Sequence, residues 1–164
     1  MRTAIDVRRV NYSDAAQAAT LVRLLEAYAQ DPMGGGEALC DEVKARLPSA
    51  LAAFPAAFSL MAWVDGQAVG LLNAMEGFST FAARPLVNIH DLAVLPHWRG
   101  QGVGRALLQA VEREAVARGA CKLTLEVLSG NTGASRLYVQ QGFALYALDP
   151  EQGTAQFMQK KLEA

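Results

Sequence analysis

The chain has 164 residues, about half of them apolar, and a formal net charge of −1. That is enough chain to bury a sizeable core as one domain, residues 1–164, and the balanced charge argues against nucleic acid as a main partner. No uninterrupted apolar run reaches 18 residues, which excludes a membrane-spanning helix, and the charged opening "MRTAIDVRRV" lacks the apolar stretch of a secretion signal. A cytoplasmic protein is expected. Cys40 and Cys121 lie far apart in apolar-patterned segments, without redox or metal-ligand spacing. They are expected to be buried free thiols, and no metal site is expected.

In chain order, Thr3–Val10 alternates as a first strand. "NYSDAAQAATLVRLLEAYAQ" predicts a helix with Ser13 as N-cap and Ala15, Ala18, Ala19, Val22 and Leu25 at helical spacing. "DPMGGG", from Asp31, ends it, either as a lid or as a plain connection. A second helix is predicted from Glu37 to Phe54, with Pro48 kinking or splitting it. "AAFSLMAWVDGQAVGLLNAMEGF" reads as a hairpin turning at Asp65–Gly66 in type I′ geometry.

"STFAARP" then reads as a loop and "LVNIHDLAVLP" as a strand. A third helix runs from Gly102 to Arg118, with Val103, Leu107, Ala110 and Val111 on one stripe and Gly119 as its C-terminal glycine. "CKLTLEVL" alternates as a strand, and "NTGASRLYVQQG" is a short helix closed by Gly142. Two last strands are expected near Ala144–Leu148 and Thr154–Lys160. The order β-α-α-β-β-β-α-β-α-β-β implies a mixed-sheet α/β domain.

The most informative stretch is "LAVLPHWRGQGVGRALLQ", in which Gly100, Gly102 and Gly104 separate a strand from a helix. A helix start offers unpaired N–H donors and a partial positive charge, and glycines let a phosphate approach that backbone. A Walker loop needs GxxxxGK[ST], but Arg105 stands where its second glycine belongs. A dinucleotide fingerprint fails at Arg105 and Leu107 and belongs in a first βα unit. R-x-x-G-x-G fits Arg99, Gly102 and Gly104.

With "LEVLSGNTGASRLYVQQGF" following at the right distance, Asp91–Phe143 resembles the GNAT superfamily of acyl-CoA N-acyltransferases. The resemblance implies a centrally splayed sheet and acetyl-CoA as acyl donor. It implies that Arg99, Gly100, Gln101, Gly102, Val103, Gly104 and Arg105 hold the pyrophosphate of coenzyme A. Leu92, Ala93 and Val94 would pair with its pantetheine arm as an added strand. Alternation through Val87, Ile89 and Asp91 gives way to four apolar residues, Leu92–Leu95. Either a β-bulge there parts the strand from "CKLTLEVL", or this is a fully buried central strand.

Acyl transfer to an amine needs a base, because an amine of pKa near 10 is neutral only about once in a thousand at pH 7, a deficit of roughly 4 kcal/mol. It also needs an acid for the departing thiolate. The resemblance implies Tyr138 as that acid, two helical turns after Asn131, which would contact the cofactor. Glu126 matches a glutamate that accepts the proton in bacterial ribosomal-protein N-terminal acetyltransferases. His90 and Asp91 are rival bases, and an ordered-water relay is a further alternative. "GFSTFAARPLVNIHDLAV" resembles diamine acetyltransferases, with His90 replacing the glutamate of a Glu-Asp-Leu triplet and so removing one negative charge.

Asp31, Glu37, Glu76 and Asp91 would favour a cationic small-molecule amine, with Phe78 and Phe81 lining its pocket. A protein or peptide acetyltransferase, or a non-catalytic acyl-CoA sensor, are the alternatives. A homodimer is implied by the family, with neither nucleic acid nor membrane as partner.

Overall fold

Asp14 rather than Ser13 caps the first helix: its carboxylate accepts the Gln17 amide, while Asn11 takes the Ser13 amide into a local turn. The computed structural model describes residues 4–162, so Thr3 of the expected first strand lies outside the described residues. Contacts divide the chain into two compact units, Met1–Leu125 and Glu126–Ala164.

The first unit holds strands β1 (Asp6–Arg9), β2 (Ala57–Val64), β3 (Gln67–Ser79), β4 (Arg84–Val94) and β5 (Leu123–Leu125). They form one sheet in chain order, antiparallel as far as β4 and parallel between β4 and β5. Helices α1 (Ala15–Gln30) and α2 (Asp41–Ala53) cover one face, and α3 (Val103–Ala117) packs on β2, β3 and β4.

Strand alternation divides the core between these layers. Leu21, Leu24 and Leu51 from the helices meet Met61, Leu71 and Ala93 on one face. Residues of the other parity, Leu60, Leu72 and Ala74, are buried on the face that α3 covers with Val103, Leu107 and Val111.

Helix α2 starts later than Glu37 because two amides are taken beforehand: Glu37 N–H donates to the Ala29 carbonyl and Leu39 N–H to Glu26 Oε2. Pro48 lies inside α2 without splitting it. Asp65 and Gly66 both have positive φ, 48° and 77°, as a type I′ turn requires. The expected "STFAARP" loop is much shorter than its seven residues: β3 runs to Ser79 and β4 starts at Arg84, so a turn alone joins them.

Neither cysteine is buried. Cys40, at the start of α2, is exposed, and Cys121 is half-buried; both are free thiols. No helix among the described residues is long and apolar enough to cross a membrane.

The second unit contains α4 (Thr132–Gln140), followed by Gly142 at φ 88°. The two expected final strands do not form among the described residues: a single bridge, Ala147 to Thr154, joins them. Pro150 starts a 3-10 turn between them, and Leu145, Leu148 and Phe157 remain exposed, so little apolar burial supports a ladder.

Candidate active site

After β4, a 3-10 turn at Pro96–Trp98 leads through Arg99 into the glycine loop. Gly100 and Gly102 have φ of 73° and 93°, where a side chain would be strained. A Cβ at Gly100 would meet nothing within 4 Å, and one at Gly102 only Ile5 Cδ1 at 3.7 Å. The loop therefore faces open space. Gly102 starts α3 without a side-chain cap, and the first helical bond is Ala106 N–H to the Gly102 carbonyl at 3.0 Å. Val103, Gly104 and Arg105 thus begin the helix with N–H groups that have no acceptor inside it, where the dipole also favours an anion. The donor set fits a pyrophosphate.

Arg99 is a brace. Its Nη2 lies 2.7 Å from Asp31 Oδ2, and its Nε donates to the Val94 carbonyl at 3.0 Å. Gln101 Nε2 donates to the His97 carbonyl at 2.6 Å, closing the loop from inside. The Asp31 carboxylate also accepts the Met33 amide, and its carbonyl accepts the Gly34 and Gly36 amides. "DPMGGG" is thus a turn fastened around Asp31.

The bulge in β4 falls at His90, two residues before the expected Leu92–Leu95. Asn73 pairs with Asp91 and Ala74 with Ile89, which leaves His90 as the extra residue. The β5 ladder ends level with it, at Ile89 and Leu125. Beyond that point no strand of the described sheet pairs with β4 on this edge. Leu95 N–H bonds the Val69 carbonyl, so the antiparallel alternation turns the backbone groups of Ala93 toward β3 and those of Leu92 and Val94 outward.

The acidic candidates differ in what they face. Glu76 is paired with Arg118 at 3.0 Å, and Arg118 in turn stacks over the Phe58 ring at 4.2 Å. Phe78 is largely exposed on β3, and Phe81 is wholly exposed in the turn. His90 is exposed and its Nδ1 is hydrogen-bonded to Asn88 Oδ1. Asp91 is half-buried and accepts from Asn73 Nδ2 at 3.0 Å. Tyr28 lies in a shallow cleft with Leu24, Ala93, Val94, Pro96 and Arg99. Burial raises its pKa first, and the charges of Asp91 and Asp31 add to the rise.

Three candidates belong to the second unit. Asn131 caps α4, its side chain accepting the Ala134 amide at 3.2 Å. Tyr138, half-buried on α4, meets Phe143 edge to face with ring centres 5.8 Å apart. Glu126 is exposed at the start of the unit.

Residues 21–143 match the Acetyltransferase (GNAT) family. The uncharacterized N-acetyltransferase YhfO of Bacillus subtilis is 33% identical over 141 residues, 85% of this chain and 89% of that protein. The chain belongs to the GNAT family. It is therefore an N-acyltransferase. The GNAT relatives include streptothricin acetyltransferase of Streptomyces lavendulae, 39% identical over 93 residues, 54% of this chain and 49% of that one. Among solved structures, an aminoglycoside N-acetyltransferase in complex with CoA superposes with a TM-score of 0.70 at 19% identity, covering 99% of this chain and 97% of that one.

The sequence does not single out Tyr12, Tyr28, Ser59 or Asn73 in this GNAT domain. Ser59 is fully buried and Asn73 is 4% exposed. Their signal was a lone polar residue inside each of two apolar strands, "AAFSLMAWV" and "AVGLLNAM". Only the register shows that the two are partners.

Proposed function

We propose that the protein transfers an acetyl group from acetyl-CoA to the primary amine of a small molecule. One observation carries this reading: an uncovered strand edge and an open glycine-rich helix start follow each other along Leu92–Arg105. The outward backbone groups of Leu92 and the N–H of Val94, on either side of Ala93, suit the amides of a pantetheine arm, while the Val94 carbonyl is held by Arg99. The N–H groups from Gly100 through Gln101, Gly102, Val103 and Gly104 to Arg105 suit its pyrophosphate, with Arg99 fixing the loop from behind. Bound there, acetyl-CoA supplies an acetyl thioester.

The chain's own groups then handle protons. Asp91 takes the proton of the attacking amine as the C–N bond forms. Tyr138 gives a proton to the sulfur as the C–S bond breaks, and Asn131 contacts the cofactor. Asp91 is preferred to His90 because it is half-buried and held by Asn73, whereas His90 is an exposed bulge residue. Glu126 is the remaining candidate base. Asp31 and Glu76 have basic partners already, so their role is to shape the acceptor side rather than to bind the amine by charge.

A relative named for streptothricin supports a small-molecule acceptor. A turn alone joins β3 and β4, so no long loop there narrows access, and peptides belong in the same test. A cytoplasmic location and a homodimer accompany this reading, and light scattering tests the latter.

The experiment is thiol release from acetyl-CoA with sisomicin, streptothricin, polyamines, amino acids and peptides. Turnover of a small amine is expected; folded protein that turns over none of them overturns the reading. Tyr138→Phe should lower kcat by about 100-fold with the KM for acetyl-CoA unchanged. Unchanged kcat would remove Tyr138 from the mechanism.

A further inference from the structure

Asp91 ends a row of polar side chains that crosses the sheet on the face packed by α1 and α2. Tyr12 Oη lies 2.8 Å from Ser59 Oγ, Ser59 Oγ lies 2.6 Å from Asn73 Oδ1, and Asn73 Nδ2 lies 3.0 Å from Asp91 Oδ2. The row follows the strand register: Ser59 stands opposite Asn73, and Asn73 opposite Asp91. The bulge makes this so. If the pairing of Ala74 with Ile89 continued regularly, Asn73 would face His90; the extra residue moves Asp91 into its place.

The direction of the row is fixed by what each group is able to do. A carboxylate only accepts, so the Asn73 amide N–H points at Asp91 and its carbonyl at Ser59. The Ser59 hydroxyl must then donate to Asn73, and the Tyr12 hydroxyl must donate to Ser59. Every donor is aimed toward Asp91, and such chains reinforce one another. An amide does not hand a proton along, so the row is not a proton wire. Apolar residues at 59 and 73 would remove both partners of their mutual bond but leave the Tyr12 hydroxyl and the Asp91 carboxylate without theirs. What the polar row adds is a fixed carboxylate beside the point where the sheet opens.

We propose that Asn73, braced by Ser59 and Tyr12, is a positioning residue that fixes Asp91 to take the proton of the attacking amine. One oxygen of Asp91 is held by the row, and the other serves the amine. The proposal rests on the reading of Asp91 as the base.

The test uses full-length Asp91→Asn, Asn73→Leu, Tyr12→Phe and the Asp91→Asn/Asn73→Leu double variant. The substrates are acetyl-CoA and sisomicin, or the panel amine that the wild type turns over fastest. Asp91→Asn should lower kcat by about 100-fold or more, Asn73→Leu by about 10- to 100-fold and Tyr12→Phe by about 3-fold, all with the KM for acetyl-CoA unchanged. The double variant should be no slower than Asp91→Asn alone, because Asn73 acts only through Asp91. Wild-type kcat in folded Asn73→Leu, or additive losses in the double variant, would overturn the proposal and leave Asp91 as base. Wild-type kcat in Asp91→Asn, or a wild type that acetylates no amine, would defeat the base reading and this proposal with it. If Asn73→Leu does not fold, Tyr12→Phe at the half-buried end decides: wild-type kcat there counts against the row.

Discussion

Asp31 was expected to meet a cationic substrate, yet its carboxylate meets a cation of its own chain. The Arg99 guanidinium, hydrogen-bonded to it, holds its pKa below the usual carboxylate range, and the Met33 amide adds to this. A folded-state pKa below the unfolded value of about 3.9 contributes stability above that pH, lost as the pH falls through the folded value. Asp31→Asn keeps an oxygen for the Met33 amide while removing the charge. Its Tm should lie below that of the wild type at pH 6 to 7, and the gap should begin to narrow as the pH falls below about 4 and shrink in high salt, because Arg99 is half exposed. A gap that responds neither to acid below about pH 4 nor to salt would mean that the charge pair is not its cause.

Among the elements, β4 carries the most consequence, because one strand is paired on both edges at its start and on one edge at its end. The bulge at His90 and the short β5 together produce that change. The approach of α3 to the sheet sets the other half of the site. Gly70 on β3 lets the helix sit close: a Cβ there would fall 2.9 Å from Val103 Cγ1, 3.1 Å from Leu107 Cδ1 and 3.2 Å from the Ala93 carbonyl oxygen. Gly70→Ala should therefore cost about 1–3 kcal/mol, measured by denaturant unfolding. Since Val103 is the first residue of α3, the same change should also raise the KM for acetyl-CoA. A variant of wild-type stability would show that α3 shifts outward without cost.

Across the whole molecule, order is unevenly distributed. Leu60, Met61, Leu71 and Leu72 are buried in the centre of the sheet, whereas residues 144–162 form no strand and stay exposed. Hydrogen exchange should reflect this gradient, with the β2 and β3 amides slowest and those of 144–162 fastest. Protection of 144–162 equal to that of β3 would mean that the chain's end is covered in solution, as the expected homodimer would provide. In this region the sequence misleads most. Short segments near Ala144–Leu148 and Thr154–Lys160 read locally as strands, but a strand also needs a partner and a buried face, which local sequence does not supply.

Local chemistry by itself determined the helix starts to within a few residues, the Asp65–Gly66 turn, the glycine loop and the family. Each depends on neighbours in sequence: backbone dihedrals, unspent helix N–H groups, the 3.6-residue period. The tertiary structure decided what depends on partners distant in sequence. It gave Asp31 to Arg99 and Glu76 to Arg118, and it shifted the bulge to His90. It also joined Tyr12, Ser59, Asn73 and Asp91 into one row. Register across a sheet is fixed by burial summed over whole strands, so one extra residue reassigns every cross-strand partner beyond it, and no local pattern in β4 records which partner that will be.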